Sequence, residues 1–126
     1  MGKQTERPYW NDVQAAQRRV MYKAAGFSDK DIRNKPHIGI ANAFSEGSPG
    51  TAHLRELASC VKEGVWAGGG MPIEFGIPST CGDLSNGAEE IKYDLILRDL
   101  VAASIEMVAQ IQHFDGLIIL ATCVNQ

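Results

Sequence analysis

Three short apolar runs punctuate this chain: His37-Ile38-Gly39-Ile40-Ala41-Asn42, Pro72-Ile73-Glu74-Phe75-Gly76-Ile77, and Leu117 to Thr122. Stretches with helical periodicity separate each run from the next. Alternating elements of this kind argue for an α/β fold with a parallel sheet and right-handed crossovers. Pro36 opens the first run, and Asp115-Gly116 turns the chain into the third. The predicted order is α-βαβαβ, a three-layer arrangement of a parallel sheet flanked by helices.

The helices follow from spacing and caps. Asn11 or Asp12 can cap a first helix to about Ala25, with Val13, Ala16, Val20 and Ala24 on one stripe and Gly26 as its stop. Ser28 to Lys35 reads as a polar turn or one further helical turn. Ala43 to Ser48 is a loop leading to Pro49 at a first helical position, where its missing N–H costs nothing. From there to about Trp66, Leu54, Leu57, Ala58, Val61 and Val65 share a face. Cys60 in this helix reads as packing. Gly68-Gly69-Gly70 breaks the helix before the second strand. A third helix, about Asp94 to Gln112, carries two apolar stripes, Ile96, Leu100, Ala103 and Met107, and Leu97, Val101, Ile105 and Val108. That width predicts burial on two sides.

Three parallel strands make a small independent domain, because such a sheet wants both faces and its edges covered. The pattern therefore reads as residues 1–35, an N-terminal helical segment, followed by residues 36–126, a partial, truncated α/β domain. The net charge of −3 offers no electrostatic case for nucleic acid. No apolar run approaches the roughly 20 residues that span a bilayer, and the first residues lack the apolar core of a signal peptide. Three cysteines, an odd number, predict a reducing compartment, the cytoplasm, rather than a disulfide framework.

In open α/β sheets ligands bind outside the carboxyl ends of the strands. Cys81 and Cys123 both follow strands there, and two soft thiolates on one edge suit a metal or iron–sulfur centre. The plainer reading is that each is a small buried hydrophobe. Asp83, Glu89 and Glu90 lie near Cys81 in sequence and add carboxylates that suit a hard divalent cation. The Ser48-Pro49-Gly50 stretch, at a predicted helix start, suits a carboxylate or phosphate, or it is simply a βα turn capped by Ser48. His37, His53 and His113 have no ligand partner at characteristic spacing and read as structural. The dinucleotide glycine pattern is missing, which disfavours a nucleotide-binding domain.

As a whole the string resembles the N-terminal part of the dihydroxy-acid dehydratase and 6-phosphogluconate dehydratase family. The resemblance rests on Lys35-Pro36-His37-Ile38-Gly39-Ile40-Ala41-Asn42 and Ser48-Pro49-Gly50-Thr51-Ala52-His53-Leu54-Arg55-Glu56-Leu57. It continues through Ala67-Gly68-Gly69-Gly70-Met71-Pro72-Ile73-Glu74-Phe75, Leu97-Arg98-Asp99-Leu100, and Phe114-Asp115-Gly116 leading to Cys123. It implies a larger two-domain hydro-lyase, a dimer or tetramer, in branched-chain amino-acid or sugar-acid metabolism. The implied reaction removes water from a 2,3-dihydroxy acid or sugar acid to give a 2-keto acid, using an iron–sulfur cluster (2Fe-2S or 4Fe-4S) and Mg²⁺.

By the resemblance Cys81 and Cys123 are cluster ligands and Asp83 a Mg²⁺ ligand, while the anion-suited stretch at the predicted helix start makes Ser48 and Gly50 the candidate substrate contacts. The chain departs from the pattern in three places. Gly50 stands where some members have a cysteine; Gly82-Asp83 inverts the usual Asp-Gly; Val124-Asn125 replaces an Asp-Lys that serves the Mg²⁺. The expected proton-abstracting serine would lie beyond Gln126, so the isolated chain is expected to be inactive. The competing expectation is a non-enzymatic truncated or accessory α/β domain that binds a partner subunit or a small anion.

Overall fold

The computed structural model describes residues 13–122. The chain divides into two compact units, residues 1–35 and residues 36–126.

The first unit contains α1 (Gln14–Ala24) and α2 (Asp29–Asn34). Gly26, at φ +99°, ends α1 in a conformation that favours glycine. The stripe of Val13, Ala16, Val20 and Ala24 is exposed along its length. Ala15 is the buried position, and Tyr22, seven residues on, turns inward to meet Phe27 edge-to-face at 6.1 Å. The Ser28 hydroxyl caps α2 by accepting the Asp31 amide at 3.1 Å. Asn11 and Asp12, the expected caps of α1, lie outside the described residues.

The second unit holds β1 (His37–Asn42), α3 (Leu54–Ala67), β2 (Met71–Gly76), α4 (Tyr93–Gln112) and β3 (Gly116–Leu120). Two 3₁₀ turns, Gly82–Ser85 and Glu89–Lys92, lead into α4. All pairings are parallel, in the order β2-β1-β3. In register, Ile40 lies between Glu74 and Ile118, and Asn42 between Gly76 and Leu120. At the opposite end the Asp115 carboxylate accepts the His37 amide at 2.6 Å, while the Asp115 amide donates to the His37 carbonyl at 2.8 Å. That pair fixes where β3 enters the sheet.

Side-chain alternation assigns the two faces. Ile40, Asn42 and Glu74 share one; from it Glu74 pairs with Lys62 of α3. Gly39, Ala41 and Phe75 share the other. Phe114, two residues past α4, lies directly over Gly39, where a Cβ would overlap its ring, and stacks on Phe75 at 5.9 Å. Helices therefore serve both faces, giving the three layers expected. The core is built from Ile40, Ala41, Leu54, Ala58, Val101 and Leu120.

Three details differ from expectation. First, α3 starts at Leu54, not at Pro49. The Ser48 carbonyl accepts the amides of Thr51 and Ala52 at 3.0 and 2.9 Å, and the fully buried Thr51 hydroxyl donates to the Ser45 and Ser48 carbonyls. Those bonds hold residues 48–53 as turns. Second, α4 buries one stripe, not two: Val101 is buried with Leu97 and Ile105 beside it, while Ile96, Leu100 and Met107 are exposed. Third, Cys60 is exposed on α3 rather than packed. Among the described residues no helix is long and apolar enough to cross a membrane.

Candidate functional site

From β1 the chain crosses through α3 to β2 on one side, then returns past β1 through α4 to β3 on the other. The strand order reverses between β1 and β3, and ligands of open α/β sheets bind outside the carboxyl ends at such a reversal. Here those ends are Asn42 and Leu120. The Ala43 amide donates to the Leu120 carbonyl and the Ile77 amide to the Asn42 carbonyl, both at 3.0 Å, so the edge is closed up to its rim.

Asn42 organises that rim. Its side chain is buried, and its Nδ2 donates to Glu74 Oε1 at 2.8 Å, with the Leu54 carbonyl farther off at 3.5 Å. Its Oδ1 accepts the Phe44 amide at 3.1 Å. One side chain thus ties β2, the start of α3 and the β1–α3 loop together. Partial burial pushes the Glu74 carboxyl up, but hydrogen bonds from Lys62 and Asn42 outweigh it and hold the group below the ordinary glutamate range. Glu74 is therefore an anion fixed by its neighbours.

The loop after Asn42 carries Ser48 and Gly50. Ser48 is buried, and its hydroxyl has no hydrogen-bond partner among the described residues. A buried hydroxyl without a protein partner is costly unless a water or another polar group satisfies it. The Gly50 carbonyl accepts the hydroxyl of Thr122, the residue before Cys123. The first loop is thereby joined to the end of the third strand. Because α3 starts at Leu54, its dipole does not act at Ser48, and the Thr51 and Ala52 amides are already engaged. Arg55, in the first turn of α3, stacks its guanidinium 4.1 Å from the Phe44 ring centroid and meets Glu46 at 3.3 Å.

Cys81 follows β2 by five residues, half-buried, with its Sγ 3.8 Å from Asp83 Oδ2. A thiol and a carboxylate thus share one short loop. Glu89 and Glu90 are exposed in the next 3₁₀ turn. Cys123, Val124 and Asn125 lie outside the described residues. Among the described residues no group of three or more His, Cys, Asp or Glu side chains is placed to hold a metal ion. The donors present fit an iron–sulfur cluster and Mg²⁺ in kind, a soft thiol for iron beside a hard carboxylate for magnesium, and the orphaned Ser48 hydroxyl fits a polar ligand at the same edge. They do not make up a complete ligand set.

A cavity of about 380 Å³ lies beside α4, lined by Thr80, Ser85, Glu90, Asp94, Leu97 and Leu100 among others. None of Cys81, Asp83, Ser48 or Gly50 lines it. His53 is exposed just before α3, and His113 caps α4 in a left-handed conformation at φ 52°. His37 is buried at the opposite end of the sheet. Asn42, Glu74 and Thr122 are the rim residues that spacing did not single out. The available signal was a polar side chain closing an otherwise apolar run, as Asn42 does.

The sequence profile of the family described as dihydroxy-acid/6-phosphogluconate dehydratase N-terminal matches residues 35–125. The dihydroxy-acid dehydratase of Pyrococcus furiosus is 40% identical over 111 residues, covering 88% of this chain and 20% of that protein. That of Methanobrevibacter smithii is 44% identical over 111 residues, with the same coverage of 88% and 20%. That of Methanococcus maripaludis is 43% identical over 105 residues, covering 83% and 19%. This chain therefore spans about one fifth of the length of these relatives. It belongs to the dihydroxy-acid/6-phosphogluconate dehydratase family and corresponds to its N-terminal part.

Proposed function

We propose that this member of the family is the N-terminal part of a hydro-lyase that takes water from a 2,3-dihydroxy acid or sugar acid and leaves a 2-keto acid. The observation that carries the reading is the match over residues 35–125, which runs through all three strands and the loops that follow them. The names of the relatives point to the same chemistry.

Cys81 and Cys123 are the residues that would hold an iron–sulfur cluster, and Asp83 would serve a Mg²⁺. Bound there, such groups supply electrophilic assistance to loss of hydroxide, a poor leaving group. The chain's own part is to receive and orient the acid. The buried Ser48 hydroxyl is free to hydrogen-bond a substrate oxygen, and the Gly50 backbone allows close approach. Asn42 holds this loop against β2 through Glu74, and Thr122 ties it to the segment that carries Cys123. By the family resemblance, the base that removes the C2 proton would lie beyond Gln126. The reading includes homo-oligomeric assembly and a cytoplasmic setting, where thiolate ligands stay reduced. It includes no role for nucleic acid or a membrane.

The test is anaerobic expression of the longest natural reading frame that contains this segment, supplied with iron, sulfide and Mg²⁺. The expected result is 2-keto acid from dihydroxy or sugar acids, iron and acid-labile sulfide in comparable amounts, and no turnover by the 126-residue chain alone. Cys81→Ala is expected to lower bound iron. A folded product without iron and without turnover would sink the reading and favour an accessory domain.

A further inference from the structure

Arg55 is a cation at the carboxyl edge of the sheet that the proposed chemistry leaves without a task. Its guanidinium carbon lies 4.1 Å from the centroid of the Phe44 ring. Phe44 stands two residues past the end of β1, where the strand order reverses. The ring is fixed from two sides: it packs against the core, and the Phe44 amide donates to Asn42 Oδ1 at 3.1 Å. Support therefore runs from the end of the central strand through the ring to the cation. Stacking of this kind engages the face of a guanidinium and leaves its N–H edges open to an acceptor.

Among the described residues the ion-pair partner of Arg55 is Glu46, through one contact at 3.3 Å between side chains that are 66 and 79% exposed. A single long contact between exposed groups stabilises little. An incoming carboxylate or phosphate can instead take two N–H groups at once. Position argues the same way. Arg55 sits in the first turn of α3, where a cation opposes the helix dipole. The placement does not serve the helix, but it adds to the dipole's attraction for an anion. Asp83, Glu89 and Glu90 follow β2 in the chain, Lys62 is held by Glu74, and Lys92 meets Glu89 at 3.9 Å. An acid arriving at this edge therefore needs a counter-charge, and Arg55 supplies one from the loop side of β1.

We propose that Arg55 is the anion anchor of the site. Its guanidinium leaves Glu46 and takes the anionic end of the substrate through two parallel hydrogen bonds, while Phe44 holds its plane. The identity of that acid rests on the dehydratase reading. The anion is the carboxylate of the acid or, in a phosphorylated sugar acid, its phosphate. Glu46 keeps the cation in place while the site is empty and returns to solvent when the ligand binds.

The test uses the longest natural reading frame that contains this segment, loaded with iron, sulfide and Mg²⁺, and its Arg55→Gln, Arg55→Lys and Glu46→Gln variants. Gluconate and 6-phosphogluconate are the probes, followed by calorimetric binding and, where turnover occurs, by KM and kcat. Arg55→Gln is expected to weaken binding and raise KM at least about tenfold, with kcat, bound iron and melting temperature little changed. Arg55→Lys keeps the charge without the planar fork and is expected to recover part of the loss. Glu46→Gln is expected to bind at least as tightly as the natural chain, because the competing carboxylate is gone. A loss confined to 6-phosphogluconate assigns the phosphate, and a loss that includes gluconate assigns the carboxylate. Unchanged affinity in Arg55→Gln overturns the proposal, as does a fall in kcat alone or a natural chain that binds neither probe. A loss in Glu46→Gln as large as that in Arg55→Gln overturns it too. Binding that needs Arg55 without any keto acid formed upholds the anchor and sinks the dehydration instead, so the two failures are distinguishable.

Discussion

The two helices that cover the sheet are finished to different degrees. α3 seals its face: Leu54 and Ala58 are buried, and the Asn42–Glu74–Lys62 chain of polar contacts locks strand, loop and helix together. α4 is longer and more apolar, yet Val101 is its one fully buried residue. The contrast teaches that apolar content does not decide burial. A helix buries what a partner surface reaches, and among the described residues none reaches the outer stripe of Ile96, Leu100 and Met107.

That contrast can be broken by comparing two leucines. Leu54→Ala, at a fully buried position, is expected to cost about 2–5 kcal/mol. Leu100→Ala, on the bare stripe, is expected to stay within about 0.5 kcal/mol. Denaturant unfolding of the two variants checks this, and equal losses would mean that α4 is sealed after all. A pair of glycines sharpens the same point for the sheet. Gly39→Ala pushes into the Phe114 ring and is expected to cost about 1–3 kcal/mol. Gly76→Ala meets open space and is expected to leave the melting temperature nearly unchanged.

The polar lock is tested next. Asn42→Ala leaves the Phe44 amide and Glu74 without their shared partner, at an expected cost of about 1–3 kcal/mol. Amide exchange at Phe44 is expected to quicken, and an unchanged rate there would show that Asn42 does not hold the loop. The smallest effect concerns pH. Glu74 has its folded-state pKa depressed, so the unfolded chain binds the proton more readily. Its contribution is present above the ordinary glutamate value of roughly 4.3 and is lost as pH falls below it. With the pair partly in solvent, the effect is under about 1 kcal/mol. Glu74→Gln is expected to flatten the stability–pH curve in that acid window, and a curve that still falls as steeply there would rule Glu74 out.

Much of the fold was legible because it is local. β1 has the bounds that Pro36 and the apolar run predicted, and Gly26 stops α1 as a glycine should. The misreadings came where local signals competed. Pro49 suits a helix start, but the hydrogen bonds around Ser48 and Thr51 delay the helix to Leu54. The stripe of α1 was chosen by spacing, while its buried position is Ala15, off that stripe. At the site, spacing singled out Ser48, Gly50, Cys81 and Asp83, but not the bond from Thr122 to Gly50, which joins residues 72 positions apart. Nor did it bring out Asn42, whose partners come from three different elements.

By itself the sequence determined the order of the strands and the helices between them, their parallel class, the limits of β1 and the family, since periodicity, caps and motif blocks are properties of neighbouring residues. The strands β2 and β3 each begin one residue earlier and end one or two residues earlier than their apolar runs. The tertiary structure alone decided that β1 lies in the centre, that the strand order reverses between Asn42 and Leu120, and which stripe of α4 is buried. Those outcomes depend on which distant surface arrives, and strand pairing and burial are settled by contacts that no short stretch of chain contains.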